Sequence, residues 1–439
     1  MRPSLPLAAC LLATSVAAAP SADDVANRFF SNGWAAVDRA AVPAPPTPTA
    51  QALPEMPEGP FQEEHGQVAH MSITRAGYLY YVSRYEGGEL GQYMGQSNGK
   101  KPASDTPDNV VAGAYDEDSV GKNPWGYLIP ELRHFWDCRK GPYKGLWGYD
   151  SSVDRAQKYF TGGFGLKGEY DSKWERHEVK GHGLVWHYRH GDKALAYWYL
   201  GHAAHLLEDA TVPAHVLLYP HPLKNVDRYE TFMGTHYAEW ESRIPEGEVA
   251  SYDKLYDLFY HTANITNDYD AGSGSGLLGR DGKKDRGSRR KGGFTEAELR
   301  AEGDVLMPLA YRSVAAIYLY FYKQIDRVPP TVTLVYPSSR DEAAPDLTFS
   351  SRVTLAASAK DDLSGVDRFG YRFEVAARTD AGWSAWRGLP KGVSRAEFDV
   401  APGASYKVRV SAVDAAGNRA YSPAAYLSAA SGPAVASAR

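Results

Sequence analysis

The stretch Trp198–His215, WYLGHAAHLLEDATVPAH, decides how this chain is read. Asp192 stands ahead of it as an N-cap and Pro213 interrupts the pattern near its end, so a helix is predicted between them. On such a helix His205 and Asp209, four positions apart, project from one face a turn apart. Pro213 then fixes a turn that returns His215. Three side chains of ligand type can converge on one point, and neutral imidazole with carboxylate suits zinc. A lone H-x-x-x-D is a common pair on helix surfaces. Here the surrounding helix is apolar, where an unpaired carboxylate would be costly to bury, and that favours a metal.

Helical patterning continues on the C-terminal side. Thr295 and Glu298 form a capping-box pair. Leu306, Leu309, Val314, Ile317 and Phe321 then follow the helical period. Pro308 should kink this helix or mark a restart. At Pro329-Pro330 the period changes to two: TVTLVYP, RVTLAASA, YRFEVAA and SYKVRVSAV alternate apolar and polar residues, separated by DDLSG and DAAGN. Residues 329–428 therefore read as a small antiparallel β-sandwich. Its strands resemble those of bacterial immunoglobulin-like or fibronectin-like modules. Asp361, Asp362 and Asp414 read as turn-forming aspartates, with calcium ligation as the competing reading.

The 439 residues, 43% of them hydrophobic, suffice for one large domain and a smaller one. A formal net charge of −5 gives no ground for a global attraction to nucleic acid or anionic membrane. Residues 1–19 have the small basic start, apolar stretch and small-residue end of a secretory signal, which predicts a secreted or periplasmic protein. No later segment reads as long and apolar enough to span a bilayer. Residues 20–60, proline-rich from Pro43 onward, read as a propeptide or linker, and 429–439 as a flexible tail. The basic run RDGKKDRGSRRK at 280–291 reads as a solvated loop. Cys10 leaves with the signal, so Cys138 has no internal disulfide partner and reads as an inert thiol. Thirteen histidines, most of them between His65 and His236, suggest metal staples in place of disulfides.

Four regions, in order, resemble the zinc-dependent phospholipase C family and, more distantly, the single-strand-specific zinc nucleases that share its helical fold. Trp198-Tyr199-Leu200-Gly201 with His205, Asp209, Pro213 and His215 reproduces the family pattern without a change of spacing. VAHMSITRAG around His70 is similar to the family's first core helix and its histidine. GAYDEDS and RHFWD offer Asp118 and His134, and PLAYRSVAAIYLYFYKQIDR, ending at Arg327, resembles the closing helix. The resemblance implies a mainly α catalytic domain over 61–327, followed by the all-β immunoglobulin-like sandwich, and a cluster of two or three Zn2+ ions. It implies that Asp118, His134, His205 and Asp209 hold one ion, that Asp209 bridges to an ion bound by His70, and that His215 serves a third. Asp118 is also implied as the residue that orients the attacking water.

Two departures stand out. Where the family has a histidine four residues before an aromatic-Glu pair, Val226 precedes Tyr229-Glu230, with Asp227 as a replacement ligand. His236 with Glu239 or Glu241 is the competing pair. The family's N-terminal tryptophan is also missing from residues 55–64, with His65 as one substitute. His202, on the face of His205, reads as a packing or supporting residue. His177, His182, His187 and His190 lack ligand-like spacing and read as surface or cleft residues. The implied substrate is a phospholipid or other phosphodiester, with a surface or polymer ligand open for the sandwich. A nuclease or nucleotidase with the same metals, and a non-catalytic zinc-stapled binding protein, remain as alternatives.

Overall fold

The computed structural model describes residues 63–97, 107–118, 133–140, 145, 150–162, 182–219, 227–241, 243–244, 247–269, 271 and 294–432, and among these described residues ten α-helices occupy the N-terminal part. The signal, the linker, His177, the basic run at 280–291 and the tail beyond residue 432 lie outside the described residues, as does the side chain of His65. The helices are α1 (Glu63–Arg84), α2 (Val110–Asp116), α3 (Ser152–Thr161), α4 (Leu184–Arg189) and α5 (Lys193–Asp209). They continue with α6 (Pro213–Val216), α7 (Arg228–His236), α8 (Ala238–Glu241), α9 (Leu255–Thr266) and α10 (Glu296–Ile325).

The predicted caps form. Asp192 accepts the Leu195 N–H at the start of α5, and Thr295 and Glu298 close a reciprocal capping box on α10. Helix α10 runs through Pro308 without a restart. Leu306, Met307, Leu309 and Ala310 around the proline are all buried, and that packing outweighs one missing hydrogen bond. By length and composition alone α10 is long and apolar enough to cross a membrane, but 83% of its apolar stretch is buried inside the protein, so it makes no clear membrane span. It is the central core helix, packed on α1, α5 and α9.

Helices α2 and α5 cross unusually closely. A Cβ on Gly201 would lie 2.0 Å from the Val110 carbonyl oxygen, and one on Gly113 would lie 1.9 Å from that of Trp198. Only glycine at both positions permits this approach. The crossing sets the C-terminal end of α2 beside the middle of α5.

The C-terminal part is all strand, as the period-two pattern predicts. Strands β2 (Thr331–Tyr336), β4 (Arg352–Lys360) and β9 (Arg395–Asp399) make one antiparallel sheet in the order β2-β4-β9. The second has the order β3-β12-β10-β6-β7, from β3 (Asp346–Thr348), β12 (Ala425–Ala429), β10 (Ser405–Val413), β6 (Arg372–Thr379) and β7 (Gly382–Trp383). Short strands β8 (Arg387–Gly388) and β11 (Arg419–Tyr421) pair with β6 and β10. Leu334, Leu355 and Phe398 from one sheet and Phe373, Val408, Val410 and Leu427 from the other share a core, so the sheets form a sandwich.

Helical part and sandwich belong to one unit, Pro43–Arg439. Strand β1 (Tyr85–Glu86), following α1, pairs antiparallel with β5 (Val366–Asp367) of the sandwich. Arg84 binds Asp367 through two nitrogens at 2.9 and 3.0 Å, and the Tyr81 hydroxyl donates to the Ser364 carbonyl at 2.7 Å.

Candidate metal centre

Four helices and two non-helical segments deliver the ligand-type side chains. Helix α5 carries His205 and Asp209 on its inner face, and Pro213 opens α6 so that His215 follows within one turn. The segment carrying His134 is tied to α6 by a backbone bond from Trp136 N–H to the His215 carbonyl at 3.2 Å. Helix α1 supplies His70 and α7 supplies Glu230. Asp118 follows the C-cap of α2, which the close glycine crossing brings to His205.

These groups meet around Asp209. Its Oδ1 lies 3.6 Å from His70 Nε2 and 3.4 Å from His215 Nδ1, and its Oδ2 lies 2.9 Å from His134 Nδ1 and 3.4 Å from His205 Nε2. Asp118 is 3.2 Å from His205 Nε2 and 3.5 Å from His134 Nδ1. Glu230 is 3.0 Å from His215 Nε2. Ligand-type atoms lie within 4.8 Å of one another in three overlapping sets: His70, Asp118 and His205; His134, Asp209 and His215; and His70, Asp209 and Glu230. The His70 and His205 rings stack with centroids 3.8 Å apart, which brings His70 to Asp118 and His205 as well as to Asp209.

Hydrogen bonds orient the rings. His205 Nδ1–H donates to the Ala114 carbonyl at 2.7 Å, and His70 Nδ1–H donates to Glu208 Oε2 at 2.7 Å. Each bond leaves Nε2 of a neutral ring as a lone pair facing the cluster, the usual support for a metal-ligating histidine. Glu208 is itself held by the Thr74 hydroxyl at 2.7 Å. His205 Nε2 and Asp209 Oδ2, which face each other at 3.4 Å, are sealed from solvent without a well-aligned hydrogen bond. Buried polar atoms in that condition are costly, and a cation at the centre would satisfy them. The residues therefore fit divalent ions of the zinc type.

Electrostatics agree. Burial disfavours a charge on His205, but Asp118 and Asp209 outweigh it and hold the ring well above the ordinary histidine range. His215 is likewise raised against burial to about 9, by Asp209 and Glu230. Asp209 is held well below the ordinary carboxylate range, since His215, His205 and His134 overcome its desolvation. Protons stand where a metal's charge belongs.

Asp227, whose negative charge also acts on His215, stands at the start of α7. Its Oδ1 accepts the Glu230 N–H at 2.9 Å as the N-cap of α7, which fixes the helix that carries Glu230. The competing pair points elsewhere. Glu239 is bound by Arg300 at 3.1 and 3.2 Å, Glu241 accepts from the Ser72 hydroxyl, and the His236 ring stacks on Phe232. His202 binds Glu117 through Nδ1, and Glu117 also receives the Tyr159 hydroxyl. His182 and His190 stack against Trp186, away from the centre. Cys138 is buried, and burial with Asp137 nearby pushes its thiol up to about 12, which keeps it inert. Sequence reasoning missed Glu208 and Glu117. Glu208 directly precedes Asp209, but on a helix that neighbour projects from a different side, and only the approach of α1 gives it a role.

Among solved structures the chain is similar to the alpha-toxin of Clostridium perfringens isolated from avian strain SWCP, with TM-score 0.37 and 12% identity, over 84% of this chain and 97% of that one. It is similar to the alpha toxin of Clostridium absonum with TM-score 0.39, at 12% identity and the same coverage. No family model matches the chain. No curated protein matches it in sequence.

Proposed function

We propose that this chain is an exported zinc-dependent phosphoesterase of the phospholipase C type. The observation that carries the reading is Asp209, a buried carboxylate with four histidine rings within 2.9–3.6 Å of its oxygens. His70, Asp118, His134, His205, Asp209, His215, Asp227 and Glu230 would hold the ions, with Asp227 also capping the helix that carries Glu230. Mixed carboxylate and imidazole sets are those of catalytic sites, whereas closed structural sites lean on thiolates. Divalent ions in such a cluster supply charge neutralisation of phosphate oxygens, activation of water and stabilisation of the leaving oxygen.

The protein's own residues would do the rest. Asp118 and Glu230, with side chains 28% and 21% exposed, are the cluster's carboxylates that reach solvent; Asp209 is 1% exposed. For a phosphodiester approaching from that side, an Asp118 oxygen can orient the attacking water. Glu208 and the Ala114 carbonyl keep His70 and His205 in the tautomer that faces inward. The choice of phospholipid as substrate rests on the sequence resemblance.

Zinc-loaded protein should release a phosphorylated head group from phosphatidylcholine vesicles, and chelation should abolish that release. Cleavage of single-stranded nucleic acid in place of phospholipid would move the protein to the nuclease reading. Activity that survives complete metal removal would overturn the proposal.

A further inference from the structure

A second cluster of acidic side chains lies far along the chain from the centre above. Asp326 caps the C-terminal end of α10, Asp361 follows β4 and Asp414 follows β10. All three are buried, and one oxygen of each lies within 4.8 Å of the other two. The turn-forming reading accounts for part of this. Asp361 Oδ1 accepts the N–H groups of Leu363, Ser364 and Gly365 at 2.8–3.0 Å, and Asp414 accepts the backbone and side-chain N–H groups of Asn418 at 2.8 and 2.9 Å. Asp362, in contrast, is exposed and pairs with Lys360.

Turn formation does not account for Asp326. Its Oδ1 accepts the Val328 N–H at 3.0 Å, but Oδ2 is sealed from solvent with no hydrogen-bond donor in a residue that is 0% exposed. Among the described residues none of the three carboxylates pairs with a lysine, arginine or histidine. Three mutually close buried carboxylates without a cation are unfavourable, since each desolvated charge repels the others. The donors are all oxygen, the preference of hard cations. Oxygens up to 4.8 Å apart are spanned by an ion with bonds of about 2.4 Å, the calcium range, more readily than by magnesium at about 2.1 Å.

The geometry points to a calcium site built from Asp326, Asp361 and Asp414 that clamps the end of α10 to the sandwich. Asp326 belongs to the last helix of the metal-bearing part, while Asp361 and Asp414 sit on two sandwich loops. The same two loops are already tied together, through the Ala415 N–H to Gly365 carbonyl bond at 2.9 Å. The adjoining β1–β5 ladder and the Tyr81–Ser364 bond place the α1 end against the same corner. One ion there joins α10 to the corner that α1 already touches, so the sandwich is held at two helix ends rather than one.

The test uses the full chain loaded with zinc, so that calcium does not enter the other centre. Calcium titration should show one site per chain and raise the thermal midpoint by several degrees, and terbium should bind with luminescence sensitised by nearby tyrosines. Asp326→Asn keeps the acceptor for Val328 and supplies amide hydrogens to the two remaining carboxylates. It should weaken calcium and terbium binding at least tenfold, remove the calcium-dependent thermal shift and leave zinc content intact. It should also be as stable as the parent without calcium, or more so, because a repulsion is gone. Asp414→Asn should lose the calcium response too. A parent protein with no calcium-dependent shift and no terbium signal overturns the site, as does Asp326→Asn responding to calcium like the parent.

Discussion

Glu208 Oε2 stands 2.7 Å from His70 Nδ1, a bond that helps to couple helix α5 to helix α1 at the candidate metal centre. The carboxylate fixes the tautomer of His70, and Thr74 in turn fixes the carboxylate. Glu208→Gln should therefore lower zinc affinity roughly 10- to 100-fold while the protein still folds. Competition with a zinc chelator measures this, and an unchanged affinity would show that the pair serves packing alone.

Glu230 and Glu239 give opposite expectations. Glu230→Gln removes the charge 3.0 Å from His215 and should release one ion and lower activity by orders of magnitude. Glu239→Gln removes one of the two surface carboxylates that Arg300 binds, leaving Glu296 at 2.9 Å, and should be nearly silent, as exposed pairs contribute about 0–1 kcal/mol. Zinc stoichiometry in the two variants separates them. Loss of the ion from Glu239→Gln alone would place the ligand in the HYAEWE segment.

The raised histidines make the metal-free protein sensitive to alkali. His215 titrates at about 9 in the folded chain against 6.5 ordinarily, so its ion pairs with Asp209 and Glu230 stabilise the fold fully below pH 6.5 and are lost as the pH rises through 9. Thermal midpoints of chelator-treated protein should fall over that window, whereas the zinc-loaded protein should hold its midpoint. Zinc uptake at pH 7 should release protons, because ligands must deprotonate. Calorimetry in buffers of different ionisation enthalpy detects that release; zinc binding with no proton release would contradict the charge states assigned here.

Gly201 tests how the fold positions the site. Gly201→Ala drives a methyl into the Val110 carbonyl, 2.0 Å from the ideal Cβ, and neither backbone can yield cheaply. Overpacking of this kind costs about 1–3 kcal/mol or more. The loss should appear in the denaturation midpoint, together with reduced zinc affinity, since Asp118 and the Ala114 carbonyl move away from His205. A variant of normal stability that binds zinc normally would show that the close crossing is not needed.

What the sequence determined by itself is what short-range geometry governs. The helical period and the N-cap Asp192 place His205 and Asp209 on one face, Pro213 turns the chain back to His215, and alternation from Thr331 onward makes strands. These follow from residues a few positions apart, so they are legible without partners. The tertiary structure alone decides which distant groups complete the centre. His70, His134 and Glu230 reach Asp209 only because α1, the Trp136–His215 bond and α7 pack around α5, and Glu239 is withdrawn by Arg300, from α10, some sixty residues on. Asp326, silent at the end of a helix in the sequence, gains meaning when two sandwich loops fold over it. Periodicity is a property of the local backbone, while convergence of buried charges is a property of packing, and no local pattern encodes it.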